Sequence, residues 1–223
     1  MELTTELIES FVTEGYDFQY LLRQPAVRST KQKAIILLHG VGGNEKDIFS
    51  LKLHLPKDWV FISPRGPYVL GEGIFAWYEV DTTTGKPVIN VEEEKQSRQK
   101  LVKFITQVKE TYMLDEIHLG GFSQGGIMSY TLGLLHPELI NGLIILSSRI
   151  LPEITPLVTK NPVHENLRVF VSHGTLDASM PISCAREARE FLQNLGVQLS
   201  YHEYVLGHQI NKKIVKDLVE WLK

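Results

Sequence analysis

The sequence predicts a single α/β domain in which helices cover both faces of a mostly parallel sheet. Its 223 residues suit one such domain better than two small ones, at about 150 residues per domain. Short apolar runs alternate with helical patterns along the chain, and no repeat, low-complexity tract or linker divides it. We therefore predict one domain over residues 1–223, with residues 1–30 as an N-terminal extension that carries an early edge strand.

The first predicted elements are mainly strands. Apolar side chains at every second position predict a half-buried strand: Tyr16, Phe18, Tyr20 and Leu22. Two short apolar runs, Ala34–Leu38 and Trp59–Ile62, are typical of strands buried in a parallel sheet. Between them, Asn44 followed by Asp47 indicates the start of a helix.

The second half of the chain continues the alternation. Apolar residues at three- and four-residue spacings predict a long amphipathic helix over 92–112. A strand at Glu116–Gly120 then leads through a glycine-rich turn into a helix that continues to His136. Three more strands and two more helices are predicted: strands at Leu143–Leu146, Val169–Val171 and Val197–Val205, and helices between Pro181 and Gly196 and over Ile210–Leu222.

Composition excludes several classes of protein. Hydrophobic residues make up 43% and charged residues 22%, which is typical of a globular chain and not of a disordered one. The formal charge of −3 is too balanced to indicate binding to nucleic acid or to an anionic membrane. No apolar run approaches the roughly 18 residues that span a bilayer, and the first twelve residues have no basic segment of a secretory signal. Because Cys184 is the only cysteine, no internal disulfide can form, and we expect a cytoplasmic protein without integral membrane association.

The segment Gly121-Phe122-Ser123-Gln124-Gly125 matches the pattern G-x-S-x-G. It lies between a predicted strand and a predicted helix, which is where a nucleophile elbow raises its serine above the sheet. The flanking glycines fit because side chains there would collide in so tight a turn. We predict that Ser123 is a nucleophile; the alternative is a glycine-rich turn with an incidental serine.

A nucleophilic serine needs a base that is itself oriented by a carboxylate, and in this architecture the acid and then the base follow it along the chain. Asp177 follows the strand at Val169–Val171, and His208 follows the strand at Val197–Val205. Both fall at carboxyl ends of strands, where open α/β sheets gather their sites. We predict Asp177 as the acid and His208 as the base. His202 lies within its strand and is a weaker candidate, and His173 is expected to brace the acid loop.

A tetrahedral intermediate also needs two backbone N–H donors, one of them from the residue after the nucleophile. That residue is Gln124, and the glycine-rich loop after an earlier strand offers the amide of Val41. A phosphate-binding function of this loop is less favoured because neither G-x-x-x-x-G-K-[ST] nor a G-x-G-x-x-G after a strand is present. No cluster has zinc-ligand spacing, so we expect neither a metal nor another cofactor.

These segments, in this order, resemble the phospholipase/carboxylesterase family of α/β-hydrolases, which includes bacterial carboxylesterases and acyl-protein thioesterases. The matching residues are Leu38–Gly40, Gly42–Glu45, Pro64–Pro67, Trp77-Tyr78, Gly120–Gly126, His173-Gly174, Asp177, Pro181 and Gly207-His208. The resemblance implies an α/β-hydrolase fold, Ser123 as nucleophile, Asp177 as acid and His208 as base. It also implies that the backbone amides of Val41 and Gln124 form the oxyanion hole.

Two departures from the family pattern bear on the substrate. Thioesterase-like members often carry an arginine shortly before the tryptophan, where this chain has Phe75. The usual Leu-Ser-Gly after the next strand is Leu146-Ser147-Ser148 here, followed by Arg149. Arg149 should emerge at the sheet edge that carries the site, where it can bind an anionic substrate group or simply be a surface residue. Trp77 and Phe75 are predicted as substrate contacts, with ordinary core positions as the alternative.

Larger α/β-hydrolases often cover their serine with an inserted cap, and the slot for it here is Arg149–Leu167. Its three prolines, Pro152, Pro156 and Pro162, leave room for only short helices, so we expect a wall and no large cap domain. An uncapped, shallow site favours short-chain esters, since little apolar surface meets a long chain.

The sequence thus predicts a serine carboxylesterase that hydrolyses short-chain esters through an acyl-enzyme intermediate. The alternatives are a lysophospholipase or an acyl-protein thioesterase with the same residues, or a catalytically silent fold that serves as a binding module. The expected partner is a small-molecule ester rather than nucleic acid. The sequence leaves the oligomeric state open, a homodimer included.

Overall fold

The centre of the protein is an eight-stranded sheet. Its strands are β1 (Leu7–Val12), β2 (Tyr20–Pro25), β3 (Lys33–Leu38), β4 (Val60–Pro64), β9 (Glu116–Phe122), β10 (Gly142–Leu146), β11 (Arg168–Gly174) and β12 (Gln198–Tyr204). They lie in the order β1-β2-β4-β3-β9-β10-β11-β12. The structure, a computed structural model, describes residues 7–81, 83 and 87–223. The strands β4, β3, β9, β10, β11 and β12 run parallel to one another, whereas β2 pairs antiparallel with β4 and β1 pairs antiparallel with β2.

Two small hairpins lie outside this sheet. They are formed by β5 (Tyr68–Gly71) with β6 (Ile74–Ala76), and by β7 (Val80–Asp81) with β8 (Val88–Ile89). The α-helices are α1 (Glu45–Phe49), α2 (Val91–Thr111), α3 (Gln124–Leu135), α4 (Ile182–Leu195) and α5 (Lys212–Leu222).

Both faces of the sheet are covered by helices because buried side chains alternate along the central strands. On β3, Ile36 belongs to the apolar cluster that contains the buried residues of α2, α3 and α4. Its neighbours Ile35 and Leu37 point to the opposite side and belong to the cluster formed with α1 and α5. This arrangement confirms the predicted fold class: a single-domain α/β fold with a mostly parallel sheet.

Most helices begin where the sequence predicts them to begin. Asn44 caps α1 in a capping box with Asp47, as the spacing of these two residues indicated. Asn90 and Asn211 cap α2 and α5 through their side chains, and α4 ends at Gly196 in the left-handed region (φ +85°). α1 is only five residues long and continues as a 3₁₀ turn, Ser50–Leu53, so it covers less of the sheet than a full helix would.

The N-terminal region differs from the sequence prediction. The alternating aromatic residues predicted a strand from Tyr16, but β2 begins at Tyr20 and is preceded by β1, which the prediction missed. Tyr16 and Phe18 lie in the connection, and their rings pack against Phe104 of α2 with centroids 5.9 and 5.5 Å apart. The period-two pattern therefore reflects packing of a loop onto α2.

The stretch from Arg149 to Leu167 contains only two 3₁₀ helices, Thr155–Leu157 and Pro162–Asn166. This confirms that the fold has no large cap domain, as the three prolines predicted. Over the described ranges, no helix combines the length and the apolar character that crossing a membrane requires.

Candidate active site

The turn between β9 and α3 forces Ser123 into a strained backbone conformation, with φ 53° and ψ −119°. The turn is tight enough that a Cβ atom on Gly125 would lie 2.2 Å from the carbonyl oxygen of Leu38. A Cβ atom on Gly121 would meet the carbonyl carbon of Gly125 at 2.5 Å. Only glycine fits at either position, so this strand–turn–helix has the geometry of a nucleophile elbow.

Three side chains from three connections form a hydrogen-bonded series at the carboxyl edge of the sheet. His208 Nε2 lies 2.9 Å from Ser123 Oγ, and His208 Nδ1 lies 2.7 Å from Asp177 Oδ2. The carboxylate fixes the proton on Nδ1, which leaves Nε2 free to accept the proton of the Ser123 hydroxyl. Ser123, Asp177 and His208 are therefore brought together as the sequence predicted they would be.

Asp177 is held by the loop that contains it. Its Oδ1 accepts hydrogen bonds from the backbone N–H groups of Ser179 (3.0 Å) and Met180 (2.8 Å). The fully buried His173 donates from Nε2 to the carbonyl oxygen of Met180 at 2.7 Å, so it braces this loop as expected. The Leu176 N–H also donates to the Leu206 carbonyl at 3.1 Å, which ties the acid loop to the loop that carries His208.

The loop that carries Val41 is fixed by a buried histidine and by β6. His39 Nε2 accepts from the N–H of Gly66 at 2.9 Å, so the proton lies on Nδ1, which donates to the Gly40 carbonyl at 2.8 Å. Burial lowers the pKa of His39 and keeps the ring neutral in this role. The loop also pairs with Phe75, through the Gly42 N–H to the Phe75 carbonyl and the Phe75 N–H to the Gly43 carbonyl, both at 2.9 Å.

The second predicted oxyanion donor, Gln124, is the first residue of α3. Its backbone N–H has no acceptor four residues earlier in the helix, so it is available to a ligand. Its side chain is fully engaged: Oε1 accepts from the Trp77 N–H at 2.9 Å, and Nε2 donates to the Tyr78 carbonyl at 2.7 Å. These bonds connect the start of α3 to the segment that follows β6.

The three predicted substrate contacts, Trp77, Phe75 and Arg149, differ in their burial and in their neighbours. Trp77 is fully buried, with its indole N–H donating to the His39 carbonyl at 2.9 Å and its ring against Phe18, so the structure corrects this prediction: the ring is core. Phe75 is half-buried beneath the Arg65 guanidinium, 4.6 Å from the ring centroid, beside the Val41 loop. Arg149 is half-buried at the end of β10, and no described carboxylate lies within 4 Å of its guanidinium.

A groove of about 890 Å³ opens beside His208, between α1 and α5. Its wall includes Phe122, whose ring centroid lies 4.7 Å from that of His208. The sequence predicts a shallow site, and this groove departs from that prediction, because no pattern along the chain marks a gap between two helices that are distant in sequence. The short α1 is the one signal that bears on it, since five helical residues leave the facing side of α5 partly uncovered.

Within the part of the chain that the structure describes, no three His, Cys, Asp or Glu side chains form a group suited to a metal ion. The single cysteine, Cys184, is half-buried on α4, and burial raises the pKa of its thiol. Its chemistry is that of a packed thiol rather than of a nucleophile.

Solved structures that are similar to this chain define its fold class. A carboxylesterase from Mesorhizobium loti has a similar structure, with a TM-score of 0.80 at 19% identity over 96% of this chain and 98% of the other. A Bacillus cereus carboxylesterase aligns with a TM-score of 0.75 at 22% identity, covering 92% and 93% of the two chains. The fold is that of an α/β-hydrolase.

The family follows from the sequence. The model of the family described as Phospholipase/Carboxylesterase matches residues 25–223. The chain therefore belongs to this family of hydrolases. An acyl-protein thioesterase 1 from Candida albicans is 28% identical, covering 91% of this chain and 96% of that protein. A probable carboxylesterase from Arabidopsis thaliana is also 28% identical, over 85% of this chain and 77% of its own length.

Proposed function

We propose that the protein is a serine carboxylesterase that hydrolyses short-chain carboxylic esters through an acyl-enzyme intermediate on Ser123. The observation that carries the proposal is the hydrogen-bonded series Ser123 Oγ, His208 and Asp177, with contacts of 2.9 and 2.7 Å. Membership of a family of ester hydrolases supports the same class of reaction.

In the proposed mechanism, Ser123 Oγ attacks the ester carbonyl while His208 Nε2 takes its proton. The backbone N–H groups of Val41 and Gln124 stabilise the oxyanion, and the dipole at the start of α3 adds to this effect. His208 then protonates the departing alcohol, and Asp177 stabilises the transient imidazolium. Water, deprotonated by the same histidine, releases the carboxylic acid from Ser123.

A fluorophosphonate probe tests this proposal because it labels only an activated serine. We expect the wild-type protein to be labelled and Ser123→Ala to be unlabelled, as measured by intact-protein mass spectrometry. Ser183→Ala is the matched control, since Ser183 is an exposed serine on α4, and it should be labelled like the wild type. Labelling that persists in Ser123→Ala would remove Ser123 from its role, and an unlabelled wild type would favour the binding module.

The preference for short acyl chains is supported by the absence of a cap between Arg149 and Leu167. We expect acetyl and butyryl esters to be hydrolysed without activation by a lipid–water interface. A requirement for acyl chains of about twelve carbons would instead favour a lysophospholipase. Preferential hydrolysis of thioesters would favour the thioesterase alternative. The 28% identity to an acyl-protein thioesterase 1 is the observation that supports this alternative.

Arg149 is the substrate contact that we propose in addition. It is a half-buried residue that follows β10 at the same edge of the sheet as Ser123, and its guanidinium has no described carboxylate as an ion-pair partner. A bidentate interaction with an anionic group of the ester would satisfy it. We expect Arg149→Ala to raise KM for an acidic ester such as a monoalkyl succinate about tenfold and to leave KM for the neutral ester unchanged. If Arg149→Ala had the same KM as the wild type for the acidic ester and also for the neutral ester, Arg149 would not be a substrate contact.

We also propose that the partner of the enzyme is a small-molecule ester and that it acts in the cytoplasm. The lone cysteine, Cys184, supports a reducing compartment because it cannot form a disulfide within the chain.

A further inference from the structure

The groove between α1 and α5, here called the α1–α5 groove, has an apolar floor and a rim of mixed charge. Side chains of α1 and the turn after it line one wall, and side chains of α5 line the other. The apolar residues along it are Ile48, Leu51, Phe122, Ile210, Val215 and Val219. The rim carries both signs, with the positive charges of Lys212, Lys216 and Lys223 and the negative charges of Asp47 and Glu220, so charge does not select its occupant. A volume of about 890 Å³ is within the range of sites that hold small organic molecules.

One end of the α1–α5 groove lies at the reacting groups. Gly40, Phe122 and His208 form this end. A Cβ atom on Gly40 would lie 3.2 Å from Phe122 Cδ1 and 3.3 Å from Ser123 Cβ, so Ser123, which does not itself line the groove, adjoins the wall at this end. The other end runs along α5 past Val215 and Val219, which lie four residues apart on the same helix face.

We infer that the α1–α5 groove binds the alcohol part of the ester and is suited to an unbranched apolar alkyl chain. This inference rests on the proposed function. During acylation the bond from Ser123 Oγ to the carbonyl carbon forms and the bond from that carbon to the alcohol oxygen breaks. The serine proton passes through His208 Nε2 to the departing oxygen. That oxygen must therefore face His208, and the alkyl chain attached to it begins at the histidine end of the groove.

The acyl group has a different environment. Its carbonyl oxygen must face the amides of Val41 and Gln124, and its carbon must reach Ser123 Oγ. The groove is lined by His208 and by the three residues that follow it, Gln209, Ile210 and Asn211. Short acyl groups and longer alcohols are therefore compatible in one substrate, because the two parts leave the reacting carbon in different directions.

Two ester series separate the alcohol side from the acyl side. The first keeps an acetyl group and changes the alcohol from methyl to butyl to octyl, and the second keeps methanol and lengthens the acyl group to octanoyl. The parameter measured is kcat/KM, which covers the steps in which the alcohol is still attached. Full burial of one methylene corresponds to a gain of up to about fourfold. With partial burial in an open groove, we expect octyl acetate to exceed methyl acetate by at least about tenfold, with no comparable gain from octanoyl.

Val219 is half-buried and lines the α1–α5 groove, so the larger side chain in Val219→Trp should narrow the groove. We expect it to reduce the ratio of kcat/KM for octyl to methyl acetate toward one. Val27→Trp is the matched control: it makes the same substitution at a valine that is 82% exposed and outside the groove, and the ratio should not change. Thermal unfolding of both variants verifies that they are folded.

A direct binding measurement covers the case in which no ester is turned over. Calorimetry with 1-octanol and Ser123→Ala should show binding that is lost when Val219→Trp is added. Hydrolysis that depends on Ser123 but has no preference for longer alcohols would overturn the groove assignment and leave the proposed function intact. A preference for longer acyl groups that Val219→Trp abolishes would assign the groove to the acyl part and overturn the inference. No hydrolysis and no octanol binding would overturn both.

Discussion

Asp177 accepts hydrogen bonds on both carboxylate oxygens, and asparagine can reproduce only one of these interactions. In Asp177→Asn the amide oxygen can still accept from the N–H groups of Ser179 and Met180, so the loop should keep its shape. The amide nitrogen then faces His208 Nδ1 and favours the tautomer with its proton on the nitrogen that must accept from Ser123. We expect kcat for a short ester to fall about 10⁴-fold with little change in the free energy of unfolding.

Asp115→Asn is the matched control, because Asp115 also accepts from a backbone N–H, that of Gln32 at 2.7 Å, outside the site. It should turn over ester at the wild-type rate. A rate for Asp177→Asn close to that of this control would assign the acid role to another residue.

At the scale of single residues, position relative to the strands was enough to predict which side chains meet. Ser123, Asp177 and His208 each follow a parallel strand, and the carboxyl ends of parallel strands share one edge. The orientation of a ring was not predictable in this way. Trp77 follows β6 close to the site in sequence, yet its indole turns inward because the His39 carbonyl offers it an acceptor in the core.

The strand–turn–helix from β9 to α3 has space for a backbone and nothing more, which makes a single methyl group a sharp test. In Gly125→Ala the new Cβ would lie 2.2 Å from the Leu38 oxygen, and backbone atoms cannot swing away as a side chain can. We expect the free energy of unfolding to fall by about 1–3 kcal/mol or more, measured by urea denaturation, together with loss of ester hydrolysis.

Gly71→Ala is the control for this element. The nearest atoms to its new Cβ belong to the side chain of Ile74, the first at 3.6 Å, which is ordinary van der Waals contact. The variant should unfold like the wild type. If Gly125→Ala behaved in the same way, the close packing of α3 against the end of β3 would be refuted.

Among the elements, those that pack on both faces were predictable and those outside the sheet were not. The central strands are continuous apolar runs because helices cover them on both sides. β1 is largely exposed and carries no such run, so the burial pattern that identifies a strand is missing from it. The hairpin of β5 and β6 is held by backbone hydrogen bonds between Phe75 and the Gly42–Gly43 segment. Because these bonds do not involve side chains, the periodicity of residue types does not indicate them.

At the scale of the whole molecule, the stability of the fold in acid should depend in part on His118, a buried histidine outside the proposed active site. His118 lies within β9 between the rings of Trp59 and Trp221, with centroid distances of 5.1 and 5.5 Å. Neither of its ring nitrogens has a hydrogen-bond partner in the described part of the chain. Burial is the main cause that lowers the pKa of His118 to about 4. The positive charges of Arg168 and Lys33 contribute to this lowering, and the negative charge of Glu116 opposes it.

The sign of the pH dependence follows from that pKa. Between pH 6.5 and pH 4 the unfolded chain binds a proton on this histidine that the folded chain does not. The contribution to stability is therefore complete above pH 6.5 and is lost as the pH falls through this window. From pH 7 to pH 5 we expect a loss of about 2 kcal/mol in the free energy of unfolding, measured by urea denaturation.

His118→Leu should remove this part of the acid sensitivity, since leucine has no proton to bind. His54→Leu, at an exposed histidine, is the control and should keep the wild-type pH dependence. An unchanged difference between pH 7 and pH 5 in His118→Leu would assign the acid sensitivity to other groups.

The order in which the chain supplies its hydrogen-bonded series has a consequence for synthesis. Ser123 and His208 are 85 residues apart, and β3 is paired with β9 across a similar interval. A growing chain therefore presents the serine first, then the carboxylate, and the imidazole only once β12 has been made. In the proposed mechanism Ser123 has no base until that last parallel strand joins the sheet, so we expect an incompletely folded chain to be protected from premature acylation. Recovery of hydrolysis during refolding therefore requires the pairing of β3 with β9 and of β11 with β12, and not the helices alone.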